Sequence, residues 1–181
     1  MKNSKKLTAN FCSKLFIYSL LVSLLLISPI KAQDNTISLD KMLGQMIISG
    51  FSGNTINSKG FKKVLKEVKN GEISGVILFS KNIKNKEELI KINETLKSAS
   101  DIPVFISIDN EGGQIQRFNF SKEDKFYSAE AVSKLSEIEA KKEYSKMAEI
   151  LFELGINFNF APCVDLDLNP DSIIKKKERS Y

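Results

Sequence analysis

Apolar residues along this chain alternate between short continuous runs and stripes at helical spacing, with polar punctuation between them. Ser38 can cap a short helix over SLDKMLGQ, and Met46 to Phe51 forms the first apolar run, ended in a turn by Gly53 and Asn54. Phe61, Val64, Leu65 and Val68 then fall at i, i+3, i+4 and i+7 with lysines between them. That spacing predicts an amphipathic helix stopped by Asn70-Gly71. Ile73 to Phe79 reads as a second strand, Leu89, Ile92 and Leu96 mark the next helix, and Ile102 to Ile108 reads as a third strand. This third run is apolar almost throughout, with Pro103 at its second position, and predicts a strand buried on both faces.

A polar loop containing aromatics covers Asn119 to Ser128, and the longest helix is expected from about Ala129 to Leu154. Its stripe is Tyr144, Met147, Ala148 and Leu151, with Gly155 placed to end it. The fourth strand, Ile156 to Pro162, alternates Ile156, Phe158 and Phe160 with asparagines. That alternation suggests one face turned towards something polar, while Phe105, Phe158 and Phe160 are expected in the core.

Strand and helix alternate, with crossovers long enough to return each strand parallel to the last. The fold class is therefore α/β with a parallel sheet, either open and doubly wound or closed into a barrel. Pattern alone leaves both open. The first strand is not followed by a G-x-G-x-x-G turn, which weighs against a dinucleotide fold.

Composition changes the picture at one end only. The sequence of 181 residues carries a formal net charge of +5, yet Lys2, Lys5, Lys6, Lys14 and Lys31 stand in a leader without acids. The remainder has 22 basic and 22 acidic residues, so nothing supports a nucleic-acid surface. Lysines, the apolar run Leu15 to Ile27, Pro29 and a small residue at Ala32 read as a signal peptide over residues 1–32. The run is short of the roughly 20 residues of a spanning helix, so membrane contact is expected only through this leader if it stays uncleaved. The mature chain is expected to start near Gln33 and to be exported. Past the leader only Cys163 remains, which excludes an internal disulfide and reads as a small buried hydrophobe. The sequence has no histidine, which excludes Ser-His-Asp and Cys-His mechanisms within it and most zinc sites.

Candidate chemistry gathers where the third strand ends. Apolar residues give way abruptly to Asp109-Asn110-Glu111-Gly112-Gly113, and Arg117 follows. A buried strand ending in carboxylates and a glycine pair is how α/β folds present polar groups to ligands. Asp109 ranks first, as a ligand group or as a turn aspartate bonding local amides. Glu111 lies two residues on, and the two acids tempt assignment as a catalytic carboxylate pair, a reading that the resemblance described next rejects.

The segment IDNEGGQIQRF resembles the "(V/I)DQEGGRVQR(L/F)" signature of family 3 glycoside hydrolases, in their β-N-acetylhexosaminidase branch. SGVILFSKNI (Ser74 to Ile83) resembles the family's "GGVILFxRN" strand, and GINFNFAPCVDLDLNP (Gly155 to Pro170) its "GINxNxAPVxDxN" strand. Arg179-Ser180-Tyr181 resembles the start of its "RSF(G/S)" motif. The resemblance implies that residues 33–181 form about the first four βα units of a (β/α)8 TIM-type barrel. It implies substrate contacts from Asp109, Arg117 and Arg179, a scaffold role for Glu111, and loop-organising roles for Asp165 and Asp167. Asn110 replaces the usual glutamine and Gln114 the usual arginine of the signature.

The implied activity is removal of terminal β-N-acetylglucosamine from peptidoglycan-type glycans by a retaining mechanism, with no cofactor or metal. Family members continue into a "KHFPGHG"-type loop, which supplies a Lys-His pair and the acid/base histidine, and later into the nucleophilic aspartate. No catalytic residue of that set is expected in this sequence. Three rivals stand beside this reading: a β-glucosidase-like specificity, a non-catalytic sugar-binding remnant, and a non-functional truncated product. A complementing C-terminal fragment is the partner such a half-barrel implies. Alone, its open edges and interior are expected to make it poorly soluble.

Overall fold

A computed structural model describes residues 37–181, and the expected leader lies outside the described residues. Ser38 accepts a hydrogen bond from the Lys41 amide and starts α1, Leu39–Gly44. Strand β1, Ile48–Gly50, is shorter than the apolar run predicts, with Met46 and Ile47 exposed before it. Helix α2, Lys59–Asn70, ends on the left-handed Gly71, and its stripe buries Phe61, Val64 and Val68. Strand β2, Gly75–Leu78, leads through a short 3-10 turn, Ser80–Asn82, to α3, Lys86–Lys97. Asn85 caps α3, which buries Leu89, Ile92 and Leu96. Strand β3 is Phe105–Ile108.

The long helix predicted from Ala129 breaks in two. Helix α4, Ala129–Val132, is followed by α5, Glu137–Glu153, with Ser136 capping α5 in a reciprocal box with Glu139. Two serines within four residues offer the backbone side-chain caps in place of a continuous helix, and the cap prevails over the apolar period. The stripe of α5 is also shifted: Met147, Leu151 and Leu154 are buried, while Ala148 is exposed. Strand β4 is Phe158–Asn159, and a short helix α6, Ile173–Lys176, follows.

The four strands form one parallel sheet in the order β1-β2-β3-β4. Val76, Leu78, Ile106 and Ile108 point to the helix side and are fully buried against α2, α3 and α5. The other face is different. Phe105, Phe158 and Phe160 share it, in edge-to-face contact at 5.8 and 4.7 Å, and remain 46%, 39% and 47% exposed. This corrects one expectation, since these phenylalanines are not in the core; β3 itself is buried at Ile106, Ser107 and Ile108 and opens only at Phe105. The helix-side face carries the core and the exposed aromatics stand on the other, and the sequence-order parallel sheet with crossover helices is the arrangement of a partial barrel.

Asn157 and Asn159 spend their amides on the neighbouring backbone of the sheet, Asn157 at an exposed position. The Asn157 amide accepts from Ile106 N and donates to Val104 O, at 2.8 and 2.9 Å, extending the ladder from β4 to β3. Among the described residues, no helix is long and apolar enough to cross a membrane.

Candidate functional site

The site starts at the carboxyl end of β3, where the ladder stops and the chain must turn. Asn159 Oδ1 accepts the Asn110 N–H at 2.9 Å and its Nδ2 donates to the Asn110 carbonyl at 3.0 Å. Asn110, fully buried, accepts in turn from the Arg117 N–H at 2.9 Å. The loop is therefore pinned at both ends, with Asp109 at one and Arg117 at the other.

The turn between them depends on Gly112 and Gly113, at φ 88° and 55°. Glu111 N–H and Gly112 N–H both donate to the Ile115 carbonyl, and Ile115 N–H donates to Gly112. A Cβ on Gly112 would stand 2.1 Å from the Tyr127 carbonyl oxygen, so the glycine is required by conformation and by space.

Asp109 and Arg117 form a two-point ion pair. Arg117 Nε donates to Asp109 Oδ1 at 2.6 Å, and Nη2 donates to Oδ2. The Arg117 guanidinium also lies 5.7 Å from the centroid of the Phe79 ring, which follows β2. Hydrogen bonding to Asp109 holds the Arg117 pKa above its ordinary value, against the opposing effect of burial.

Arg179 reaches the same turn. Its Nε and Nη2 donate to Glu111 Oε2 and Oε1 at 2.8 and 2.6 Å. Its backbone is fixed by a bond from Arg179 N–H to Ile174 O and by Glu130 N–H to Glu178 O. Arg179 is thus held against the turn by both its side chain and its backbone.

Asp165 and Asp167 organise the loop after β4. The Asp165 carbonyl accepts from Tyr181 N–H, Asp167 N–H donates to the Tyr181 carbonyl, and the Asp167 carboxylate meets Lys175 Nζ at 2.7 Å. Cys163 is only partly buried, unlike the expected buried hydrophobe, and its thiol donates to Asp165 Oδ2 at 2.9 Å. That bond, followed by burial, raises the thiol pKa and keeps it protonated rather than nucleophilic. Among the described residues no cluster of three or more histidine, cysteine, aspartate or glutamate side chains could hold a metal ion.

The three residues singled out from the sequence therefore converge: Asp109 and Arg117 touch, and Arg179 binds the residue two places after Asp109. Sequence reasoning missed Phe79 beneath Arg117 and the pairing of Glu111 with Arg179. Phe79 carried a signal of position, because it directly follows β2 as Asp109 directly follows β3.

Fold and site define a class: a partial parallel βα barrel whose charged groups gather at the carboxyl ends of its strands. The chain belongs to glycosyl hydrolase family 3, the model of whose N terminal domain matches residues 38–181. It is 37% identical over 110 residues to a β-hexosaminidase A of Pseudoalteromonas piscicida, a match covering 56% of this chain and 18% of that protein. A glycoside hydrolase family 3 β-N-acetylglucosaminidase from Paenibacillus sp. str. FPU-7 superposes with a TM-score of 0.64 at 25% identity, over 76% of this chain and 26% of that one. NagZ from Neisseria gonorrhoeae, solved with N-trifluoroacetyl-D-glucosamine, has the same fold at 21% identity and a TM-score of 0.64, over 75% of this chain and 41% of that one. The chain thus spans less than half the length of each of these relatives.

Proposed function

We propose that residues 33–181 are the sugar-binding front of a family 3 glycoside hydrolase that removes terminal β-N-acetylglucosamine from peptidoglycan-type glycans. One observation carries the reading: two guanidinium–carboxylate pairs, Asp109 with Arg117 and Glu111 with Arg179, stand at the carboxyl end of β3. Asp109 offers acceptor lone pairs to adjacent sugar hydroxyls, and the planar guanidinium groups hold hydroxyl or N-acetyl oxygens in a fixed orientation. Likeness to the β-hexosaminidase and β-N-acetylglucosaminidase relatives supports N-acetylglucosamine over glucose.

In this reading the reaction is retaining. An aspartate attacks the anomeric carbon to give a glycosyl-aspartate, which water then hydrolyses. That aspartate and the acid/base histidine come from later βα units, on this polypeptide or on a complementing one. The same units cover the exposed phenylalanine face. The leader, residues 1–32, directs the protein out of the cytoplasm.

Titrating the chain with N-acetylglucosamine and with glucose, followed by protein NMR, tests the reading. Preferential N-acetylglucosamine binding that Asp109→Ala abolishes supports it. A preference for glucose favours the β-glucosidase-like alternative. Binding of neither sugar overturns it. Incubation with an aryl N-acetyl-β-glucosaminide is expected to give no turnover, because residues 1–181 include no histidine.

A further inference from the structure

Glu111 and Asp124 are the two buried acids among the described residues. Asp124 is accounted for locally, since its Oδ2 accepts from the Phe120 and Ser121 amides. Glu111 is not. A carboxylate 7% exposed is costly to bury unless it is paired, and its partner comes from 68 residues away.

The geometry points to Glu111 as a positioning residue that aims the Arg179 guanidinium at the ligand; this rests on the sugar-binding reading above. Glu111 is itself rigid. Its amide bonds Ile115 O at 2.8 Å, and the Gly112-Gly113 turn packs so closely on Tyr127 and Ser128 that a Cβ there would stand 2.1 or 2.6 Å from them. Arg179, by contrast, follows a largely exposed loop and the left-handed Glu178 at φ 56°. Without Glu111 its long side chain would be free to turn to solvent.

The two-point contact takes the Nε–H and one Nη2–H of Arg179 and leaves three N–H donors of the fork. These belong to a guanidinium held at two points by the residue two places after Asp109. The two pairs are within electrostatic reach: behind the dominant effects of Asp109 and burial, Glu111 and Arg179 act on Arg117 in opposite directions. Pairing cancels the charges, so the donors are presented without a strong net field. That arrangement suits a neutral, oxygen-rich sugar better than a free anion.

The test is a double-mutant cycle on N-acetylglucosamine affinity, read by NMR titration of the full chain, with the thermal midpoint recorded alongside. Glu111→Gln keeps the shape and one acceptor but loses the charged clamp. It is expected to weaken binding about tenfold or more. In an Arg179→Ala background the same change should have no further effect, because there is no guanidinium left to aim. Glu111→Asp, which keeps the charge but withdraws it by one methylene, should weaken binding while leaving the thermal midpoint close to wild type. Should Glu111→Gln fail to fold, Glu111→Asp carries the test.

An exchanged pair, Glu111→Arg with Arg179→Glu, separates aim from ion pairing. It should recover the thermal midpoint lost in the single variants without recovering affinity. Losses that add in the Arg179→Ala background, or wild-type affinity in both Glu111 variants, overturn the inference. Wild-type chain that binds no sugar overturns the sugar-binding reading instead.

Discussion

Asn159 grips the backbone of Asn110 at both of its polar groups, accepting from the N–H at 2.9 Å and donating to the carbonyl at 3.0 Å. The side chain thereby continues the β3–β4 ladder past the point where regular pairing ends, and it sets where Asp109 stands. Because Asn110 is fully buried, both groups would lose their partners in an Asn159→Ala variant. Each unpaired buried group costs about 1–3 kcal/mol, so a loss of about 2–4 kcal/mol is expected in denaturant unfolding. Asn157→Ala removes the equivalent grip on Ile106 N and Val104 O, but at an exposed residue where water can substitute. Its cost should be nearer about 1 kcal/mol. Equal losses for the two variants would refute this account.

Those two asparagines also mark where the sequence misleads. Alternation with Ile156, Phe158 and Phe160 reads as a strand with an apolar core face and a polar outer face. The inference of a ligand-facing side is unnecessary, because an asparagine amide can mimic a backbone peptide and bond to the neighbouring strand, as both do here. The helix stripes at Phe61-Val64-Val68 and Leu89-Ile92-Leu96 were legible because each helix has one face against one layer. Asp109, Arg117 and Arg179 were legible through motif resemblance. The Glu111–Arg179 pairing was not, since nothing local links residues 68 positions apart.

Gly112 carries the sharpest steric demand in the site loop. Alanine there meets both an unfavourable left-handed φ of 88° and the Tyr127 carbonyl. The backbone conformation alone costs about 1–2 kcal/mol, and relieving the overlap means moving the strand of loop behind it. Gly112→Ala is expected to lower the thermal midpoint and to abolish N-acetylglucosamine binding. Gly50→Ala is the control, because its Cβ would find only ordinary contacts at 3.8 and 3.9 Å from Phe79 and Ile77. An unchanged midpoint in Gly112→Ala would refute the turn's role.

Tyr144 on α5 meets the hydroxyl of Tyr181, tying the helix to the loop that carries Arg179. Burial first, then this hydrogen bond, raises the Tyr144 pKa above its ordinary value of 10.0. The neutral phenol is thus favoured in the folded chain, and the unfolded chain releases its proton first as pH rises. The stabilisation is fully present below about pH 10 and is lost progressively above it. Thermal midpoints measured from pH 8 to 11 should fall less steeply above pH 10 in Tyr144→Phe than in wild type. Identical slopes would mean the phenol titrates alike in both states.

Phe105, Phe158 and Phe160 form an aromatic row on the open face of the sheet, and β1 and β4 each have a neighbour on one side only among the described residues. Exposed apolar faces and unpaired strand edges both favour association between copies. Their two contributions can be separated, because the phenylalanine side chains can be changed while the strand edges stay as they are. Phe158→Ser with Phe160→Ser should reduce concentration-dependent association in sedimentation velocity and weaken binding of a hydrophobic dye, with a lower thermal midpoint because each residue is more than half buried. If association persists while dye binding falls, strand edges drive it, and a charged substitution at the exposed Ile47 before β1 becomes the change that should suppress it.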